Sequence, residues 1–223
     1  MYLIDAKSQA VNDLSSLLNR RPSMTLLSGQ ICVLSHCVRI VLLEKDVECT
    51  VDFLPVGGDP SRLVEHNPYG ETPTLVDRDI SLYDTSVILE YLDERFPHPP
   101  LMPADPITRA KTRLMISRLN RDWLRPIGEL GDTLPLNPPA ELRKSIHDGL
   151  IALSPLFRDQ PFFLGPEYTL VDTFVAPLIW RLPALGIDLP KQAAPIMEYG
   201  SRLFARPAFR DSLSEQEREM REA

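Results

Sequence analysis

Residues 97 to 106 read Pro97-His98-Pro99-Pro100-Leu101-Met102-Pro103-Ala104-Asp105-Pro106, five prolines in ten positions. Proline fixes φ and offers no backbone N–H, so neither a continuous helix nor an inner strand can pass through this stretch. It is predicted to be a stiff, extended linker. A chain of 223 residues is thereby cut into parts whose patterns must be read separately.

Before the linker, short apolar runs alternate with helical periodicity. Met24 to Ser28 is a buried strand ending at a Ser-Gly turn. Ser35 is placed to cap a helix running to about Lys45, with Val38, Val41 and Leu42 inward. Residues 48–54 alternate as a second strand, and Asp59-Pro60 starts a short helix. Residues 73–77 and 80–83 form a hairpin, and Asp84 or Thr85 caps the helix that follows. The order βαβ, α, ββα is that of a thioredoxin-like domain, a four-stranded mixed sheet with helices on both sides. After the linker there are no strand signals. Helices are expected over 107–131 with a break at Pro126, then 140–157, 169–185 and 195–205, with a charged, solvated tail at 214–222. The expected organisation is an extension at 1–23, a thioredoxin-like domain at 24–96, the linker at 97–106 and an all-helical domain at 107–223. The extension carries a weak apolar stripe and is expected to dock loosely, to contact a partner or to be disordered.

Composition excludes several functions. With 24 Lys and Arg against 31 Asp and Glu, the formal net charge is −7, which disfavours holding nucleic acid by bulk electrostatics. No apolar run approaches the roughly 20 residues that span a bilayer, and the first 23 residues lack a secretory pattern. Three cysteines, an odd number, fit a reducing compartment, and the expected location is the cytoplasm. The four histidines and three cysteines show no metal-ligand spacing, and there is no glycine-rich phosphate loop or nucleophile elbow. No metal and no cofactor is expected.

Four features carry candidate chemistry. In Thr72-Pro73-Thr74-Leu75, a proline opening a strand either shapes the strand entrance or, as a cis bond, turns the backbone of Thr72 toward a peptide-like ligand. Asp84-Thr85 is an acid and a hydroxyl at a helix N-terminus, which caps the helix and leaves room for a charged ligand. Cys32 lies just before the first helix, where it is either an activated nucleophile or a small side chain filling space. His98, framed by Pro97 and Pro99, presents an imidazole with little entropy to lose on contact, unless the linker only sets an interdomain angle. Thr169-Leu170-Val171-Asp172 is a capping box with a folding role.

Taken together, the Thr72–Leu75 motif, Asp84-Thr85 and the capping box resemble the glutathione transferase superfamily over about residues 24–210. Within it, the runs at 35–36, 38–42, 91–103, 180–183, 185–187 and 217–221 resemble the stringent starvation protein A family of bacterial regulators. That resemblance implies the glutathione transferase fold and a non-enzymatic role: binding RNA polymerase holoenzyme, with its sigma factor, under starvation or stress. Pro97, His98 and Pro99 match the family's polymerase-binding surface. Cys32, Thr72, Pro73, Asp84 and Thr85 become vestigial glutathione-site positions. A homodimer, or a heterodimer with a related subunit, is implied, with DNA contacted only indirectly and no membrane. The alternative is a glutathione-dependent thiol transferase using Cys32 as nucleophile. Cys32 falls where thiol-type transferases of the superfamily place theirs, although Val33 replaces the proline that follows it there.

Overall fold

The structure, a computed structural model, describes residues 24–221; the predicted extension at 1–23 lies outside them. Strand β1 (Met24–Ser28) is followed by α1 (Val33–Glu44), β2 (Thr50–Phe53), α2 (Ser61–His66), β3 (Thr74–Asp77), β4 (Ile80–Tyr83) and α3 (Thr85–Arg95). The strands lie in the order β2-β1-β3-β4. β2 runs parallel to β1, because α1 carries the chain back across the sheet, whereas β3 is antiparallel to both β1 and β4. The hairpin turns at Arg78-Asp79, where Arg78 takes a positive φ. This is the mixed thioredoxin-like sheet that the element order predicts.

Beyond the proline segment come α4 (Pro106–Leu119), a π-helical turn at Asn120–Leu124 and the short α5 (Arg125–Gly128). Then follow α6 (Ala140–Leu153), α7 (Leu170–Trp180), α8 (Ala194–Phe204), α9 (Pro207–Ser212) and α10 (Glu215–Glu219). The break expected at Pro126 comes earlier, as the wider π turn, so that Pro126 sits in the first turn of α5, where its missing N–H costs nothing. The predicted capping box closes α7: Asp172 accepts from the backbone N of Thr169 at 2.8 Å, from Phe163 N and from the Tyr199 hydroxyl.

One apolar cluster runs through both parts. Leu26 and Leu75 face each other across β1 and β3 and are fully buried with Ile40 of α1 and Ile88 and Leu92 of α3. α1 packs on α3 on one side and on α7 and α9 on the other, so it is a wall shared by the sheet and the helical part. Truncating a leucine here to alanine costs about 2–5 kcal/mol.

Two local expectations are corrected. The cap of α1 is Cys32, not Ser35: the Cys32 sulfur accepts from Ser35 N at 3.4 Å, and Ser35 is buried in the first turn with its Oγ accepting from Gly29 N. The expected solvated tail is solvated on one face only: Glu215, Gln216, Arg218, Glu219 and Arg221 are exposed, while the other face turns inward. Glu217 and Met220 are buried, and α10 opens with a capping box between Ser214 and Glu217.

Candidate functional site

The linker surface is built from below. Pro97, His98, Pro99 and Pro100 are all exposed, and the His98–Pro99 bond is cis. Beneath them lies an ion pair buried between the end of α1 and α3. Lys45 Nζ donates to Asp93 Oδ1 at 2.5 Å, to the carbonyl of Phe96 at 2.8 Å and to that of Pro99 at 2.5 Å. Asp93 in turn accepts from the backbone N of Leu101 at 2.8 Å and of Met102 at 3.1 Å. Leu101 and Met102 are buried, and Leu101 O accepts from Leu170 N at the head of α7. The loop is thus gripped before and after its exposed tip, and His98 is displayed on a frame that binding does not need to order.

The second candidate is a cleft of about 390 Å³ where the sheet's Thr72–Pro73 turn and the head of α3 meet the π turn and α5. Thr72, Pro73, Asp84 and Thr85 line it together with Leu34, Asn120 and Arg125. The Thr72–Pro73 bond is cis. Asp84 caps α3 by accepting from Ser86 N at 2.9 Å and Val87 N at 3.2 Å, and its φ of 81° is one that side-chain-bearing residues seldom hold. The carbonyl of Thr72 does not point into open cleft alone: it accepts from the Cys32 thiol at 3.8 Å. The five positions grouped in the sequence therefore come together, four lining the cleft and Cys32 behind Thr72.

Sequence reasoning missed Asp132. From the loop between α5 and α6, its carboxylate accepts from Gln30 N and Ile31 N, both at 2.6 Å, just ahead of Cys32. Burial raises its carboxyl above the ordinary aspartate range, and these backbone donors only partly offset that. It also missed the core of the interface behind α1. Glu217 pairs with Arg39 at 2.5 Å and with Arg181, and Arg181 donates to the Ile31 carbonyl and to His36 Nδ1. All four of these side chains are buried. Burial alone would raise Glu217, but the guanidiniums of Arg181 and Arg39 beside it outweigh that and bring its carboxyl down to about 2. Local sequence pattern carries no signal for either feature, because the partners lie 36 to 178 residues apart.

Among the described residues no group of three His, Cys, Asp or Glu side chains is arranged to hold a metal ion, and no helix is long and apolar enough to cross a membrane. Cys32, Cys37 and Cys49 are all free thiols.

A mixed sheet entered through a cis-proline, a helical part packed on its first helix and a cleft between them define a protein of the glutathione transferase fold. Residues 26–100 match the family model of the glutathione S-transferase N-terminal domain. The solved glutathione S-transferase from Rhodospirillum rubrum F11 superposes with a TM-score of 0.73 at 23% identity, over 86% of this chain and 92% of that one. A stringent starvation protein A homolog from Coxiella burnetii is 43% identical over 91% of this chain and 97% of its own length. A maleylacetoacetate isomerase from Pseudomonas aeruginosa is more distant, at 31% identity over 80% of this chain and 90% of its own. The chain belongs to the stringent starvation protein A family.

Proposed function

We propose that this chain is a non-enzymatic bacterial transcription regulator, acting in the cytoplasm, that binds RNA polymerase holoenzyme under starvation or stress through the Pro97-His98-Pro99 surface. The observation that carries the reading is the exposed proline-framed loop fastened from beneath by Lys45 and Asp93. A fold that buries an ion pair to hold a solvent-facing loop in one shape has spent stability on recognition. The negative balance of the chain suits a basic protein partner and makes contact with DNA indirect, through the polymerase. The regulator acts as a homodimer, or as a heterodimer with a related subunit, displaying two such loops.

The test is capture of purified RNA polymerase, core and holoenzyme separately, by the parent and by His98→Ala. Capture by the parent and loss in a folded variant place the function on the linker; capture of holoenzyme alone adds the sigma factor to the site. Absence of capture by the parent sinks the reading.

A second reading, a glutathione-dependent thiol transferase, is favoured by one observation: Cys32 caps α1 beside the carbonyl of Thr72 at the back of the cleft. Under it, Cys32→Ala abolishes turnover and leaves polymerase capture intact.

A further inference from the structure

We propose that Asp132 is the residue that decides what the interdomain cleft admits: its carboxylate is the resident anion of the backbone turn ahead of α1, and it shuts thiol ligands out of the Cys32 end. Successive backbone N–H groups before a helix form a concavity suited to an anion. Here the two donors, Gln30 N and Ile31 N, are already taken, one by each oxygen of the same side chain, at 2.6 Å. The carboxylate also lies against Cys32. A Cβ on Gly29 would meet Cys32 Cβ at 2.7 Å and Asp132 Oδ2 at 2.8 Å, so both press on one glycine that only a hydrogen leaves room for.

A ligand whose sulfur approached Cys32 as a thiolate would have to enter beside this carboxylate, and Gln30 N and Ile31 N, already bonded to it, would give that ligand no N–H bond in return. The open space agrees. It is lined by Thr72, Pro73, Asp84, Thr85, Asn120 and Arg125, and Cys32 is not among the residues lining it. Asp132 reaches this point because Gly131, at a φ of 96°, turns the chain out of α5, while Leu136 anchors the far side of the loop in the core. The plug belongs to the helical part and closes a site on the sheet.

This inference deepens the non-enzymatic part of the reading above and gives it a cause. Its test uses the full chain with glutathione as the probe, followed by calorimetry, and iodoacetamide labelling of Cys32 read on the peptide by mass spectrometry. The parent is expected to show no saturable glutathione binding and slow labelling. Asp132→Ser is expected to bind glutathione saturably and to label at Cys32 at least tenfold faster. Asp132→Asn keeps the size and one acceptor and so folds where the serine variant does not. A gain in the asparagine variant assigns the exclusion to charge, and a gain in the serine variant alone assigns it to volume. Unchanged binding and labelling in the folded asparagine and serine variants overturn the proposal, as does saturable glutathione binding by the parent. Polymerase capture by the same proteins keeps the two readings apart. Loss of capture by the parent strikes the regulator reading and leaves Asp132 standing, whereas an unresponsive Asp132 leaves the regulator reading standing.

Discussion

Glu217 keeps its negative charge where water does not reach, and two guanidiniums make that possible. Between them, His36 is held in one tautomer. Arg181 can only donate, so Nδ1 of the imidazole accepts, and Nε2 carries the proton that faces Ser212 Oγ at 2.9 Å. Burial drives this imidazole well below its ordinary 6.5, against the pull of Glu217 and with Arg181 and Arg39 adding to the effect. The sign follows from linkage. As pH falls through 6.5 the unfolded chain takes up a proton that the folded chain refuses, so stability is lost on acidification by up to about 1.4 kcal/mol per pH unit. Glu217 adds a second stabilising contribution, present in full above its ordinary 4.5 and lost as pH falls toward about 2. The thermal midpoint is therefore expected to fall between pH 7 and pH 5 in the parent. In His36→Gln it starts lower, because a buried guanidinium loses an acceptor at a cost of about 1–3 kcal/mol, but its slope over that range is shallower. Equal slopes for the two proteins in calorimetry would remove His36 from this role.

At the scale of elements, the linker owes its shape to α1 and α3 more than to its own prolines. The prolines remove donors and fix φ, but the loop is held where it is by Lys45 and Asp93. Asp93→Ala deprives the amides of Leu101 and Met102 of their acceptor, and their hydrogen exchange is expected to rise at least tenfold while amides of the β1–β3 ladder keep their protection. The substitution also leaves Lys45 buried without its counter-charge, at a cost of about 3–5 kcal/mol. Polymerase capture should weaken in parallel with the exchange; unchanged exchange at both amides would show that the loop holds itself. This division explains what the sequence made legible. The hairpin at 73–83, the cap at Asp84 and the box at Thr169-Asp172 were readable because each is a contact within a few residues, where period and turn chemistry leave a trace. Cys32 displaced Ser35 as the cap of α1 because the last residue before the helix, not the hydroxyl three positions on, faces its free N–H groups. Glu217 read as solvated because its charged neighbours set the local pattern, while Arg39 and Arg181, which bury it, lie 178 and 36 residues away. Asp132 and Lys45 stayed invisible for the same reason: a side chain that serves a distant backbone leaves no periodicity behind.

At the scale of the whole molecule, the face shared by α3 and α4 remains unfinished. Val87 is 50% exposed on α3, beside a groove of about 360 Å³ lined by Leu82, Ser86, Glu90, Tyr91 and Glu94. On α4, Ile107 and Leu114 are 67% and 64% exposed and lie two turns apart on one side. The Glu90–Arg113 ion pair, 2.7 Å long, binds the two helices side by side, one turn from Val87 and next to Leu114. A groove on the sheet's last helix and an apolar stripe on the neighbouring helix supply the two halves that an isologous dimer would pair across a two-fold axis. If the chain dimerises through this face, a second copy is expected to cover both features and to set two His98 loops on one particle, raising the effective concentration of the second loop once the first is bound. Sedimentation is expected to give twice the 25.2 kDa of the chain for the parent and 25.2 kDa for Leu114→Glu and Val87→Glu. Leu156→Glu, at an exposed apolar position in the 3-10 turn Ser154–Arg158, serves as the control and should leave the dimer intact. The monomeric variants are expected to keep their fold and to capture polymerase more weakly than the parent by tenfold or more. If Leu114→Glu and Val87→Glu both sediment as dimers, the two-fold runs through some other surface, and the paired display of His98 must be sought there.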